Sequence, residues 1–241
     1  MDLFDAVSPL DYRYYSREKA VYGALQPFLS ERARIQYLGK VEAALVRALA
    51  KKGICSGEIA GEIVLACENI DPEKVYAEED RIKHDIRALA NVIRSRVSEK
   101  AKPFVHFSAT SYDIVDTARA VQFRDAAQKA LIPLLVQFES MLMELALRER
   151  ETVQMGRTHG QHAEPITFGL FVAQYVSRLG NRILALHNAS NQLNGKFSGA
   201  VGAYNASSLL VEDPLELERL VLNELGLKPS ISSTQIVEPE P

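Results

Sequence analysis

MGRTHGQHAEPITFG, from Met155 to Gly169, is the stretch on which the reading of this chain turns. Two of the chain's five histidines, His159 and His162, stand here with Thr158, Gln161 and Glu164, among glycines and a proline. Downstream, apolar residues recur at helical spacing, so the polar stretch reads as a turn opening onto a long helix from about Thr167 to Leu193. The stripe of that helix includes Phe168, Phe171, Val172, Tyr175, Leu179, Ile183 and Leu186. A histidine held on a stiff turn at a helix start is a candidate general acid, because imidazole titrates near working pH. A hydrogen-bonded structural histidine is the plainer alternative, and His162 fits that role.

Working outward, the same 3.6-residue period dominates. Ile35, Leu38, Val41, Leu45 and Leu49 form one stripe between Glu31 and Lys52, with Gly53 as its stop. Ile82, Ile86, Leu89, Ile93 and Val97 form another, predicting a helix over Glu78–Lys100 that ends before Pro103. A third helix starts at Thr110-Ser111, where either hydroxyl is a cap and Asp113 is a favourable first-turn acid. It runs to about Glu151, and Pro133 predicts a kink inside it. A shorter helix spans Asp213–Leu225, with Asp213 as cap, Pro214 at the first position and Gly226 just past the end. No stretch alternates as a strand should. The expected fold is therefore all-α: a small N-terminal helical domain over residues 1–109, then the long helices of an elongated bundle over residues 110–241.

Composition narrows the function classes. The net charge of -3 provides no electrostatic footprint for nucleic acid or an anionic membrane. Cys55 and Cys67 lack metal-ligand spacing, which argues against structural zinc and for a reducing compartment. No apolar run is expected to reach the roughly 18 residues of a membrane span, and the acidic, aromatic N-terminus is no secretory signal. A cytoplasmic protein is the expectation.

Four polar segments behave neither as core nor as ordinary helix surface. In SPLDYRY, Ser8–Tyr14, Arg13 between tyrosines is suited to clamping a phosphate or carboxylate, though such loops are commonly plain surface. In RIKHDIRAL, Arg81–Leu89, His84 falls opposite the apolar stripe on a helical wheel, flanked by Lys83 and Asp85, and faces solvent or another element. In HFSATSYDIVDTA, His106–Ala118, Thr110 and Ser111 lie beside the free N–H groups of a helix start, which either caps the helix or receives an anion. The opening stretch is the fourth. Beyond it, GKFSGAVGAYN, Gly195–Asn205, is a Gly/Ser-rich loop without the ending of a P-loop.

Taken together and in this order, KHD, TSYD, GRTHGQHAEPITFG and SGAVG resemble the adenylosuccinate lyase family of the fumarase/aspartase superfamily, from Ser8 to the last residue. The resemblance implies a trans elimination that releases fumarate from adenylosuccinate, giving AMP, and from the succinyl-carboxamide purine intermediate, with no metal or organic cofactor. It implies that His159 is the general acid and that His84 is the second essential histidine. Arg13, Tyr14, Lys83 and Asp85 would contact the nucleotide. Thr110, Ser111 and Thr158 would hold the succinyl carboxylates, and Gln235 in SSTQ would touch substrate. The family's homotetramer builds each active site from three subunits.

The family's base is a serine on a later loop, roughly GSSxMPxKxN, and these 241 residues contain no such segment; Ser232-Ser233 lacks its Met-Pro-Lys context. The chain therefore reads as the N-terminal half of the family's fold, inert alone. Two alternatives stand beside this reading. One is a carboxymuconate-cycloisomerase-like enzyme on the same helical frame, and the other is a non-catalytic helical oligomerisation module.

Overall fold

The structure, a computed structural model, describes Asp5, Arg17 and residues 19–238. The proposed contacts Arg13 and Tyr14 lie outside the described residues. The fold is all-α apart from short strands, as the periodicity indicates. It divides into two compact units, one comprising the residues through Asp125 and those from Leu193 onward, the other Ala126–Gln192.

The first unit is built around α2 (Glu31–Lys51), which follows α1 (Lys19–Leu29). Ser30 caps α2 by accepting from the Ala33 N–H at 3.1 Å. Val41, Leu45 and Leu49 of its stripe are fully enclosed, each contributing about 1.5–3 kcal/mol of burial. Gly39 lets α3 (Gly57–Cys67) end against α2, because a Cβ there would stand 2.8 Å from the Cys67 carbonyl oxygen. Gly53 stops α2 in the left-handed region, φ +72°, as its position indicates.

The single helix expected over Glu78–Lys100 is two. α4 (Pro72–Ile82) ends at Lys83, which takes φ +58°, and His84 caps the new helix α5 (Asp85–Arg94). The stripe continues across the break, with Ile86, Leu89 and Ile93 buried, so periodicity alone does not reveal it. α6 (Ser111–Ala126) then enters the core through Ile114, Ala118 and Val121. Past residue 193, β3 (Asn194–Gly195) pairs in parallel with β4 (Lys228–Pro229). Between them lie α9 (Asn205–Leu210) and α10 (Pro214–Glu224). α10 has the predicted ends: Asp213 accepts from the Glu216 N–H at 2.9 Å, Pro214 opens it and Gly226 follows at φ +65°.

In the second unit the π turn Ala127–Leu131 precedes α7 (Ile132–Arg148). The Ile132 N–H bonds Ala127 O, five residues back. This wider turn sits where Pro133 would otherwise crowd the helical carbonyl before it. Helix continues from Ser111 to Arg148 and carries an 18-residue window of mean hydropathy 1.6, long and apolar enough by length and composition to span a membrane. The expectation that no run reaches that length is thereby corrected: Glu139 and Glu144 interrupt the run, yet the apolar residues around them hold the window's mean at 1.6. α8 (Phe168–Gln192) returns antiparallel to α7. The chain reverses so tightly that a Cβ on Gly169 would lie 2.4 Å from Ala146 O, and at the far end Gln128 donates to Asn191 at 3.0 Å.

The connection between α7 and α8 corrects a second expectation. It is a β-hairpin, β1 (Val153–Thr158) and β2 (Gln161–Thr167), paired antiparallel. Its apolar residues Val153 and Met155 are exposed rather than buried, and Gly156 and Pro165 interrupt its strands, so no buried alternation marks it.

Candidate active site

His159 occupies the tip of that hairpin. Thr158 pairs with Gln161, leaving His159 and Gly160 as a two-residue turn with φ +51° and +73°. Positive φ at both central positions is the turn whose twist matches antiparallel strands. Glycine adopts it freely, whereas histidine is strained there. An irregularity between Met155 and Arg157 leaves Gly156 unpaired, and a Cβ on it would meet Glu164 O at 2.6 Å. The turn and bulge thus aim one imidazole from a rigid support. Thr158, His159 and His162 are all exposed. Among the described residues no hydrogen bond or ion pair engages the His159 ring.

The α4–α5 corner presents the second cluster. His84 is exposed not because it lies opposite a stripe on one helix but because it stands at the break between two. Its Nδ1 accepts from the Arg87 N–H at 3.3 Å and lies 3.5 Å from Asp85. With Nδ1 taken by that N–H, Nε2 has no hydrogen-bond partner among the described residues. Lys83 projects beside it, 78% exposed and only loosely paired with Asp80 at 3.7 Å. The left-handed residue at the corner is what brings a cation, an imidazole and a carboxylate together over three consecutive positions.

The third cluster forms around the start of α6. Asp113 is wholly buried, and its carboxylate accepts from the Thr110 N–H at 2.9 Å and from the N–H groups of Ser198 and Gly199, each at 3.1 Å. Lys196, also wholly buried, completes an ion pair with it and donates to Gly199 O at 3.0 Å. Thr117 bonds both the amide and the carbonyl of Lys196. Ser198 and Ser233 share a hydroxyl hydrogen bond of 2.7 Å, and Gly202 approaches the Ser233 carbonyl so closely that a Cβ would lie 2.0 Å away. Thr110, Ser111, the SGAVG loop and the segment bearing Gln235 are thus tied into one structure. Glu218 holds the loop from its other side, accepting from Phe197 N–H and the Tyr204 hydroxyl.

Glu42, 1% exposed, fixes the loop before Thr110 by accepting from the His106 amide at 3.1 Å and from Nδ1 at 2.6 Å. Burial works against a charged His106, but the Glu42 charge and hydrogen bond, aided by Asp113, outweigh it and raise its pKa. Asp113, Lys196 and the His106–Glu42 pair are the residues that reading the sequence did not single out as organisers. A signal was present for one of them. Thr110-x-x-Asp113 has the spacing at which an acid reaches back to the N–H of the residue before a helix.

Among the described residues no group of three or more His, Cys, Asp or Glu could hold a metal ion. No hydrogen bond or ion pair among them links the Lys83–Asp85 corner to Thr110–Ser111. His159 and Thr158 belong to the other compact unit.

A lyase family model matches residues 13–238. The chain belongs to the lyase family. It is 38% identical over 232 residues to adenylosuccinate lyase of Archaeoglobus fulgidus, covering 96% of this chain and 49% of that protein. It is 37% identical to adenylosuccinate lyase of Pyrococcus horikoshii, covering 97% and 50%. This lyase chain therefore spans about half the length of the curated relatives it matches. A crystal structure of fumarate lyase from Mesorhizobium sp. BNC1 superposes with TM-score 0.78 at 29% identity, covering 88% of this chain and 49% of the other. The 3-carboxy-cis,cis-muconate lactonizing enzyme of Pseudomonas putida also superposes at 0.78, with 28% identity, covering 90% and 49%.

Proposed function

We propose that this lyase chain supplies part of an adenylosuccinate lyase, a carbon–nitrogen lyase of the cytoplasm that eliminates fumarate from adenylosuccinate and from the succinyl-carboxamide purine intermediate. The observation that carries the reading is that the adenylosuccinate lyases quoted above match over nearly the whole chain. The geometry supports it. A base takes the proton from the carbon beside a succinyl carboxylate, the C–N bond breaks as the alkene forms, and His159 gives its proton to the departing nitrogen. Its exposed, stiffly held ring suits a group that must meet a bulky nucleotide. Thr110 and Ser111, at the start of a long helix, suit the carboxylates of a substrate with several negative charges. Thr158 would add a hydroxyl and Gln235 an amide. His84, Lys83 and Asp85, with Arg13 and Tyr14, would grip the nucleotide.

In this reading no metal or organic cofactor takes part, and neither nucleic acid nor a membrane is a partner. The chain divides at residues 109/110 into a helical N-terminal domain and the first part of a bundle. It works in a homotetramer with shared sites, and the base comes from sequence beyond these 241 residues.

The test is fumarate release from adenylosuccinate by the chain alone and by the chain mixed with a polypeptide supplying the remaining half of the relatives' length. The chain alone is inert and the mixture turns over. His159→Gln in the mixture lowers kcat by roughly 10²–10⁴-fold. Turnover by the chain alone would remove the external base from the scheme. The likeness to the lactonizing enzyme favours a second reading, a carboxymuconate cyclisation. Absence of AMP affinity in the folded mixture, with turnover of a carboxymuconate, would establish that reading instead.

A further inference from the structure

We propose that the buried Asp113–Lys196 pair is a positioning device for the substrate-holding surface, setting the start of α6 and the SGAVG loop in one fixed relation. This deepens the lyase reading and rests on it, because the surface so positioned carries Thr110, Ser111 and Gln235.

Asp113 is used to capacity. One oxygen receives Lys196 and the amides of Ser198 and Gly199, while the other receives Thr110 and shares Gly199. A carboxylate is an acceptor at both oxygens, and here four donors converge on it. The donors come from three places: the residue before α6, the loop backbone and a loop side chain. Removing Asp113 would therefore free the residue before α6 from loop residues 198 and 199, about 85 positions away in sequence, and leave the loop held to α6 only further along, by Thr117 at Lys196 and by Phe197 packed in the same core as Ile114. Lys196 supplies the charge that makes an ionised buried carboxylate tolerable, and its bond to Gly199 O turns the loop back on itself.

Neither side chain reaches solvent, both being 0% exposed, so neither touches substrate. What reaches solvent is what they arrange. Ala200 and Val201 at the loop tip are exposed. Ser198 hands the arrangement on to Ser233, two residues before Gln235, through its hydroxyl.

The experiment compares the parent with Asp113→Asn and with the double variant Asp113→Asn/Lys196→Met. Asparagine keeps one acceptor oxygen but presents an amide to one set of donors. The double variant also removes the lysine charge that would otherwise be stranded, so it folds even where the single variant does not. Two readouts are taken. Amide hydrogen exchange at Thr110, Ser198 and Gly199 in the chain itself reports the coupling without any substrate. KM and kcat for adenylosuccinate in the catalytically complete mixture report its use. In the double variant, exchange at Thr110 rises at least tenfold and KM rises at least tenfold, while kcat changes less than threefold and the core amides of α2 stay protected. Unchanged exchange at Thr110 overturns the proposal. So does faster exchange with unchanged KM, which would make the pair merely structural. A parent mixture that turns over no adenylosuccinate, but whose double variant loses Thr110 protection, instead rejects the lyase reading and leaves the coupling intact.

Discussion

Lys83 and His159 both hold left-handed backbone, at φ +58° and +51°, and both stand at proposed contacts. Such conformations cost a non-glycine residue roughly 1–2 kcal/mol, so glycine at either position removes strain together with the side chain. Lys83→Gly relieves that strain while adding about 0.5–1 kcal/mol of chain entropy to the unfolded state. The lost contact to Asp80 is an exposed pair of little worth. The thermal midpoint therefore holds or rises, while affinity for AMP in the complete mixture falls. Calorimetric melting beside a binding titration checks this, and an unchanged affinity would remove Lys83 from the nucleotide contacts. His106 makes a different statement, about pH. Its folded-state pKa is raised above the ordinary value of 6.5 because the Glu42 charge and hydrogen bond outweigh the opposing effect of burial. A raised base stabilises fully below pH 6.5 and loses that contribution as pH climbs through the raised value. Melting temperatures taken from pH 6 to 9 should fall for the parent, and the fall should be shallower for His106→Gln. Parallel slopes would show that the pair does not titrate as its geometry requires.

Among the elements, the hairpin and the turn into α8 depend on close backbone approach more than on side-chain burial. Gly169 has no room for a Cβ, with Ala146 O at 2.4 Å and the Arg150 Cα at 2.7 Å from where it would stand. Both obstacles are backbone, which cannot rotate aside. Gly169→Ala should destabilise by about 1–3 kcal/mol, read as a lower melting midpoint, and should loosen the hairpin that carries His159. A midpoint within a degree of the parent would mean the two helix ends separate freely. This junction also shows what could be read in advance. Helices α2, α8 and α10 announce themselves through long stripes and through Gly53, Pro214 and Gly226, because burial and capping act on neighbours in sequence. The hairpin does not, since its strands bury almost nothing and its turn is His-Gly rather than the more recognisable Asn-Gly. The α4–α5 break hides for the opposite reason: its apolar stripe is uninterrupted, and only the backbone of Lys83 departs. Thr110, Ser111, His84 and His159 were legible as polar residues out of place. Asp113 was legible as a first-turn acid but its pairing with Lys196 was not, because an ionisable residue gains that role from a partner far along the chain.

For the molecule as a whole, the decisive feature is apolar surface in the Ala126–Gln192 unit. α7 has no buried residue, and Leu134, Phe138, Met141 and Leu147 are each more than two-fifths exposed. On α8, Leu170, Phe171, Tyr175 and Leu184 are similarly open. Phe171 stacks with Phe168 and meets Tyr175 edge-on, which orders the face without covering it. Two antiparallel helices bury only the seam between them, and a surface this apolar associates in water. Both a second copy and a lipid phase satisfy the length and hydropathy of the helix that includes α7. The proposed tetramer selects the first: Glu139, Glu144 and Arg148 lie along α7 and Arg178 and Arg182 along α8, costly in hydrocarbon but readily paired or solvated at a protein interface. Sedimentation of the chain should therefore show an oligomer without detergent. Phe138→Glu/Met141→Lys should shift it toward monomer while leaving the helical signal of the other unit in place. Oligomers that survive both substitutions would move the interface off α7. Co-flotation with neutral vesicles that these substitutions abolish, with no oligomer in their absence, would assign the face to lipid and remove the shared active site from the mechanism.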